Sequence, residues 1–295
     1  MALSIVDIRK LEKEQCIFIC FRNFVPEADG TIPIILNLRS FYKSKFLGLL
    51  TQLKFKHLSK TGFVYHSILN NEKFELFIPN HKLDFFTELI HFKNCVAYSY
   101  LEEGLMSYQH DSSSHYFNFK HQKFLRAYGL DKSTFPTLEP TQKTVVKWPF
   151  KNKVELGNIE NLFAPDMSPD MEYCSHESYA IGIRFMLDNL IDNGQKVLHV
   201  KFHPGQRKSK VDALAIFEEY KPKIDVNILE PEVKVEDIIS STLDATFYIM
   251  ISSIGLYANF KNKTVLSIGK KIAEIDKNYE PYLSSVSQVW PIQYL

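Results

Sequence analysis

Along the first half of the chain, short apolar runs alternate with polar breaks. Cys16 to Phe21, Thr31 to Leu38, Gly62 to Ile68, Phe74 to Ile78 and Cys95 to Leu101 each have the length and composition of a strand. Between them Arg39 to Lys54 and His81 to His91 read as helices. His121 to Tyr128 reads as one more, ended by Gly129 as a C-terminal glycine. This alternation predicts an α/β domain.

The second half is more regular. Tyr179, Ile183, Met186, Leu187, Leu190 and Ile191 recur at helical spacing, and Asn193-Gly194 ends that helix. Strands are predicted at Lys196 to Phe202, Val226 to Leu229, Thr246 to Ile251 and Thr264 to Ile268. Helices fall between them at Val211 to Tyr220, Val235 to Leu243 and Ile254 to Phe260. Strands separated by helices pair in parallel, with the helices covering both faces of the sheet. Prolines at 136, 140 and 149, then 165 and 169, interrupt the chain between the halves and mark the domain boundary. The expected organisation is therefore two Rossmann-like domains, residues 1–148 and 149–295, facing a central cleft.

Length and composition agree with two cores. A chain of 295 residues exceeds the usual single core, and two domains of roughly 140 residues follow. Lys and Arg total 35 against 34 Asp and Glu, so no bulk electrostatic attraction to nucleic acid is expected. Cys16, Cys20, Cys95 and Cys174 lie in or beside apolar stretches without paired metal-ligand spacing, as reduced and partly buried thiols do. The charged first residues, among them Asp7, Arg9, Lys10, Glu12, Lys13 and Glu14, do not resemble a secretory signal, and no apolar stretch has spanning length. A cytoplasmic protein is expected, with any membrane contact peripheral and at the inner face.

In open parallel sheets ligands collect beyond the carboxyl ends of the strands. Four polar groups occupy such points: Glu102-Glu103-Gly104, His203-Pro204-Gly205, Glu230-Pro231 and Ser252-Ser253. His203 precedes a proline, which biases its backbone toward an extended conformation and defines where the imidazole leaves the strand. That ring can hydrogen-bond a phosphate or protonate a leaving group, or merely cap a turn. Ser252 and Ser253 precede a short helix whose first N–H groups favour an anion; serine is equally a common helix cap. Adjacent glutamates cannot face the same way, so one of Glu102 and Glu103 can enter a cleft as a base while the other binds backbone or solvent. The aromatic residues Tyr98, Tyr100, Tyr108, Tyr116, Phe117 and Phe119 near the acidic pair can stack on sugars, although such residues more often pack a core. No Cys-x-x-Cys spacing accompanies the ten histidines, and no metal site is expected. Gly-x-Gly-x-x-Gly, Walker and Gly-x-Ser-x-Gly elements are missing, which argues against dinucleotide oxidoreductases, P-loop ATPases and serine hydrolases.

Taken in order, acidic-acidic-Gly at Glu102-Glu103-Gly104, His-Pro at His203-Pro204 and the Ser252-Ser253 pair resemble the motif set of bacterial sialyltransferases of GT-B type, including the lipooligosaccharide sialyltransferases and polysialyltransferases. The resemblance spans residues 95 to 268. It implies inverting, metal-independent transfer of sialic acid, or a related nonulosonic acid, from a CMP-sugar to a hydroxyl of a cell-surface oligosaccharide or glycolipid, in lipopolysaccharide or capsule synthesis. No cofactor beyond the nucleotide-sugar donor is implied. Glu102 or Glu103 would be the base, with Glu102 preferred. His203 would serve the departing phosphate, and Ser252 and Ser253 would hold it. Glu236, five residues after Pro231, would contact the ribose, with Glu230 as the fallback. Two glutamates stand where some members carry aspartate, and the chain is short for the family. Alternatives are a GT-B transferase using CMP-Kdo or a UDP- or GDP-sugar, with Lys201, Arg207 and Lys208 at the diphosphate, and a non-catalytic glycan-binding protein of the same fold.

Overall fold

The computed structural model describes residues 8–12, 16–20, 32–35, 69, 72–82, 84–109, 116–148, 159–242, 244–289 and 292–295. The strand expected at Gly62 to Ile68 and the helix expected at Arg39 to Lys54 lie outside the described residues. The chain divides into two compact units, Met1–Pro149 and Phe150–Leu295.

The first unit holds two parallel sheets. Strands β1 (Ile17–Cys20) and β2 (Ile32–Ile35) pair with each other. Strands β3 (Phe74–Ile78), β4 (Cys95–Leu101), β5 (Phe124–Gly129) and β6 (Lys143–Val145) form the second sheet, in the order β3-β4-β5-β6. Helix α1 (Asp84–His91) connects β3 to β4 and buries Phe86, Leu89 and Ile90. The core is aromatic: Tyr98, Tyr100, Phe117 and Phe135 pack with Ile78, Phe86, Ile90, Ala127 and Leu138. The rings meet edge to face, with centroids 5.1 Å apart for Tyr100 and Phe117 and 5.0 Å for Phe117 and Phe135, the arrangement that aromatic quadrupoles favour. Tyr98, Tyr100, Tyr108 and Phe117 are buried, and Tyr116 and Phe119 pack against the same cluster, so these aromatic residues serve the core.

One expectation is overturned here. Residues 124–129 form strand β5, not the end of a helix, and Gly129 is the last residue of that strand. Leu125, Arg126 and Ala127 have good helical propensity, but the backbone pairs Tyr98↔Phe124, Ser99↔Arg126 and Tyr100↔Ala127 complete the ladder on β4. Propensity is a weak preference, and the burial of Ala127, Tyr128 and Gly129 in the sheet outweighs it. Gly129 is required for another reason: a Cβ there would collide with the Thr134 side chain.

The second unit is a six-stranded parallel sheet. Its strands are β7 (Asn161–Ala164), β8 (Val197–Val200), β9 (Asp225–Ile228), β10 (Thr246–Ile249), β11 (Thr264–Ser267) and β12 (Gln293–Tyr294). They lie in the order β12-β11-β10-β7-β8-β9. Helices α2 (His176–Asp192), α3 (Lys208–Tyr220), α4 (Val235–Ser241), α5 (Ser253–Phe260), α6 (Gly269–Ile275) and α7 (Glu280–Ser287) lie between or after them. Counted within the unit, the order is 3-2-1-4-5-6, that of a doubly wound Rossmann sheet.

Helix α2 shows how local sequence and core cooperate. Ser175 caps it, its Oγ accepting the Ser178 N–H at 3.1 Å, and Gly194 beyond its end has φ +76°, a conformation glycine adopts without penalty. The face bearing Tyr179, Ile183, Met186, Leu187 and Leu190 is fully buried, each large side chain contributing about 1.5–3 kcal/mol of apolar transfer. Gly182 lets α6 approach, since a Cβ there would press on Ile272.

Candidate functional site

The sequence of the second unit's strands places its candidate residues along one edge. Strand β7 connects through α2 to β8 on one side, while β10 pairs with β7 on the other, so the strand order reverses between β7 and β10. Helices departing in opposite directions leave a crevice beyond such strand ends. Ser252 and Ser253 follow β10 at this point, and His203 and Pro204 follow β8 one strand beyond β7. With neighbouring strands about 4.8 Å apart, the β8 and β10 ends are separated by about 10 Å.

Ser252 is the N-cap of α5, its Oγ accepting the Ile254 N–H at 3.2 Å. Both serines are half-buried. The capping role and an anion site are compatible here, because a cap satisfies one N–H and leaves others at the helix start.

His203 is exposed. Its N–H donates to Gln206 Oε1 at 2.8 Å, and its Nδ1 accepts the Gly205 N–H at 3.0 Å. An Nδ1 that accepts cannot carry a proton, so this contact selects the tautomer with hydrogen on Nε2. Buried Gln206 in turn lies 3.4 Å from Tyr179 Oη and 3.3 Å from Ser209 Oγ. The turn is thus anchored from within. At Gly205 a Cβ would collide with Met167 Sδ, from the segment after β7.

Beyond β9, Glu230 is exposed and its carbonyl accepts the Val233 N–H at 3.1 Å. Glu236 stands in the first turn of α4, where burial pushes its carboxyl up in spite of the nearby Lys234 and Lys201. Lys201 is buried, and its Nζ donates to Pro231 O at 3.1 Å. Burial pushes its ammonium below the ordinary lysine value. Lys208 is engaged by Asp212, at 3.0 Å.

Sequence inspection overlooked two carboxylates at this edge. Asp166, directly after the Asn161–Ala164 strand and Pro165, accepts the Ser168 N–H at 2.8 Å with Oδ1 and the Ile251 N–H at 3.2 Å with Oδ2. It therefore ties the end of β7 to the segment leading into Ser252. Burial raises its pKa even so. Asp170 accepts the Arg207 and Ser209 N–H groups at 3.1 and 3.3 Å and the Ser209 hydroxyl. Burial opposes ionisation there, but these donors outweigh it and hold the carboxyl below the ordinary range. Their only sequence signal is a Pro-Asp step at each, Pro165-Asp166 and Pro169-Asp170.

In the first unit, Glu102 and Glu103 follow β4 and diverge. Glu102 is buried; its Oε2 accepts the Leu130 N–H at 2.6 Å, with Thr134 Oγ1 3.4 Å away, and its own N–H donates to Tyr128 O at 2.9 Å. It fastens the end of β4 to the loop after β5. Glu103 is exposed, with its N–H donating to Ser107 Oγ at 2.9 Å and its Oε2 accepting from Asn80 Nδ2. Gly104 has φ +84°, which permits the turn from the acidic pair into residues 105–108. The structure thus groups Glu102 and Glu103 on the first unit, and His203, Pro204, Glu230, Glu236, Ser252 and Ser253 on the second.

No family model and no curated protein matches this sequence. Among solved structures the chain is similar to S. aureus MnaA in its co-structure with UDP, with a TM-score of 0.49 and 13% identity over 81% of this chain and 72% of that one. A similarity of that degree establishes neither a shared activity nor a shared ligand. Among the described residues no cluster of three His, Cys, Asp or Glu side chains is arranged to hold a metal ion, and no helix is long and apolar enough to cross a membrane.

Proposed function

We propose that the protein is an inverting glycosyltransferase of two Rossmann-like domains around a cleft, transferring sialic acid or a related nonulosonic acid from its CMP-sugar to a glycan hydroxyl. The observation that carries this is the position of Ser252-Ser253 where the strand order of the second unit reverses, with His203 beyond the end of β8, two strands away across β7. A nucleotide phosphate there would meet two hydroxyls, the start of α5 and an imidazole. The motif resemblance supplies the sugar and the CMP group.

In this mechanism the acceptor oxygen attacks the anomeric carbon and its proton passes to a glutamate. The anomeric C–O bond breaks with its electron pair going to the phosphate oxygen, releasing CMP. Charge developing on that oxygen is best met by donors already in place. His203 fits as a hydrogen-bond donor through Nε2–H, because Gly205 N–H occupies Nδ1. We assign the base to Glu103, since the carboxylate of Glu102 is buried against the Leu130 amide. Glu236, half-buried at the end of the nucleotide edge, suits the ribose hydroxyls better than exposed Glu230. A diphosphate donor is less well served: Lys201 is turned to Pro231 O and Lys208 to Asp212.

Calorimetric titration with CMP, UDP and GDP tests this. CMP should bind most tightly, and His203→Ala should weaken it by about 10-fold or more, the scale of one lost charge-assisted hydrogen bond. Preference for UDP or GDP would move the protein to another donor class. Absence of nucleotide binding would leave a glycan-binding protein of the same fold.

A further inference from the structure

We infer that Asn80 is the positioning residue for the base, a conclusion that rests on the transferase function proposed for Glu103. Strands β3 and β4 run in parallel with Ile78 opposite Tyr100, so the chain two residues past each pairing emerges side by side. Asn80 on one and the acidic pair on the other meet for that reason. Asn80 is 8% exposed, unusual for a residue in a strand-end turn. Its Oδ1 accepts the Lys82 N–H at 3.0 Å and its Nδ2 donates to Glu103 Oε2.

Chemistry fixes the direction of this amide. Turned over, it would set NH₂ against the Lys82 N–H and oxygen against a carboxylate, and both contacts would be repulsive. The Lys82 amide therefore aims Nδ2 at Glu103. The glutamate is held at two places, its backbone by Ser107 Oγ and one carboxylate oxygen by Asn80. The second oxygen is left to take a proton. A neutral donor orients the carboxylate while leaving no ion pair that the incoming acceptor hydroxyl would have to displace. Glu102, one residue earlier, has its carboxylate committed to Leu130 and lies near Thr134 instead.

The decisive experiment measures CMP release from CMP-N-acetylneuraminic acid in water, which needs no acceptor, with CMP affinity and thermal unfolding followed in parallel. Wild type should turn over and Glu103→Gln should not. Asn80→Ala should then lower kcat by about 10- to 100-fold, as loss of an orienting partner does, with KM for the donor and CMP affinity unchanged. Asn80→Ser, which keeps a shorter donor, should recover part of the loss and guards against Asn80→Ala failing to fold. Asn80→Asp, placing like charges together, should be the slowest. Unchanged kcat in Asn80→Ala beside an inactive Glu103→Gln would overturn the role of Asn80 and leave the transferase function standing. Wild type inert toward the CMP-sugar, or Glu103→Gln as active as wild type, would overturn both before any Asn80 variant is needed.

Discussion

Glu102 and Glu103 are chemically identical neighbours, and their surroundings give them different work. Glu103→Gln is expected to reduce donor turnover by about 10²- to 10⁴-fold, the usual share of a general base, while leaving the unfolding midpoint nearly unchanged, because the side chain is exposed. Glu102→Ala should do the reverse. It leaves the half-buried Leu130 N–H without its acceptor and empties the buried place of the Glu102 side chain, and should cost about 1–3 kcal/mol in urea unfolding. Equal kinetic loss in Glu102→Gln at unchanged stability would return the base to Glu102. Asp276 gives a pH dependence of definite sign. Its carboxylate accepts the Ser175 N–H at 2.6 Å and the Asn278 N–H at 3.1 Å, and the Ser175 bond above all holds its pKa below the ordinary range. A depressed carboxyl stabilises the fold above its unfolded-state pKa of about 3.9 and loses that contribution as pH falls through the lower folded value. Asp276→Ala should therefore be less stable than wild type at pH 7, with the gap closing in urea melts taken progressively below about pH 4.

Among the elements, the strand ends carry the constraints. Gly129 closes β5 against Thr134, which is buried and donates to Asp131 O at 2.7 Å. A branched side chain so held has little room to withdraw, so Gly129→Ala should destabilise the chain by about 1–3 kcal/mol, the range for overpacking, as read by denaturant midpoint. Asp166 acts between elements, joining the end of β7 to the Ile251 amide just before the serine pair. Asparagine can accept one of its two N–H bonds and not the second, so Asp166→Asn should loosen the segment at the start of α5. The expected result is weaker CMP binding by several-fold, with Asp166→Ala worse. If nucleotide affinity is indifferent to both substitutions, the aspartate serves the turn alone.

For the whole molecule, the proposed division of labour is that the second unit holds the nucleotide and the first supplies the base. Hydrogen exchange in the presence of CMP should show it. Amides of 203, 205, 206 and 250–255 should gain protection, whereas amides of 72–78, 80–82 and 95–109 should change little with CMP alone. Protection confined to the first unit would contradict this division. The same experiment with UDP compares donor classes under identical conditions.

Much of the second unit could be read directly from its residues. The apolar face of α2 repeats at helical spacing, Asn193-Gly194 ends it, and the strands at β8, β9, β10 and β11 are short apolar runs between helical patterns; such signals are local and survive without knowledge of the fold. The stretch 124–129 did not yield to the same treatment, since Leu125, Arg126 and Ala127 prefer helix and only pairing with β4 makes them a strand. Strand β7 was equally silent: four residues between proline clusters, too short to show a period, yet it is the central strand at which the order reverses. The Glu-Glu, His-Pro and Ser-Ser groups were visible as residue types at strand ends. Which glutamate is buried and the parts played by Asn80 and Asp166 depended on partners far along the chain, Leu130 for Glu102, Glu103 for Asn80 and Ile251 for Asp166, while the tautomer of His203 follows from the turn that brings the Gly205 N–H onto its ring. The sequence by itself determined where most helices and most strands form, because periodicity, caps and turns act over a few residues; α6 and α7, short helices near the end of the chain, were not read from it. Tertiary structure alone decided strand order, the orientation of each carboxylate and the hydrogen bonds that orient them, because those follow from backbone groups brought together only when the sheets close.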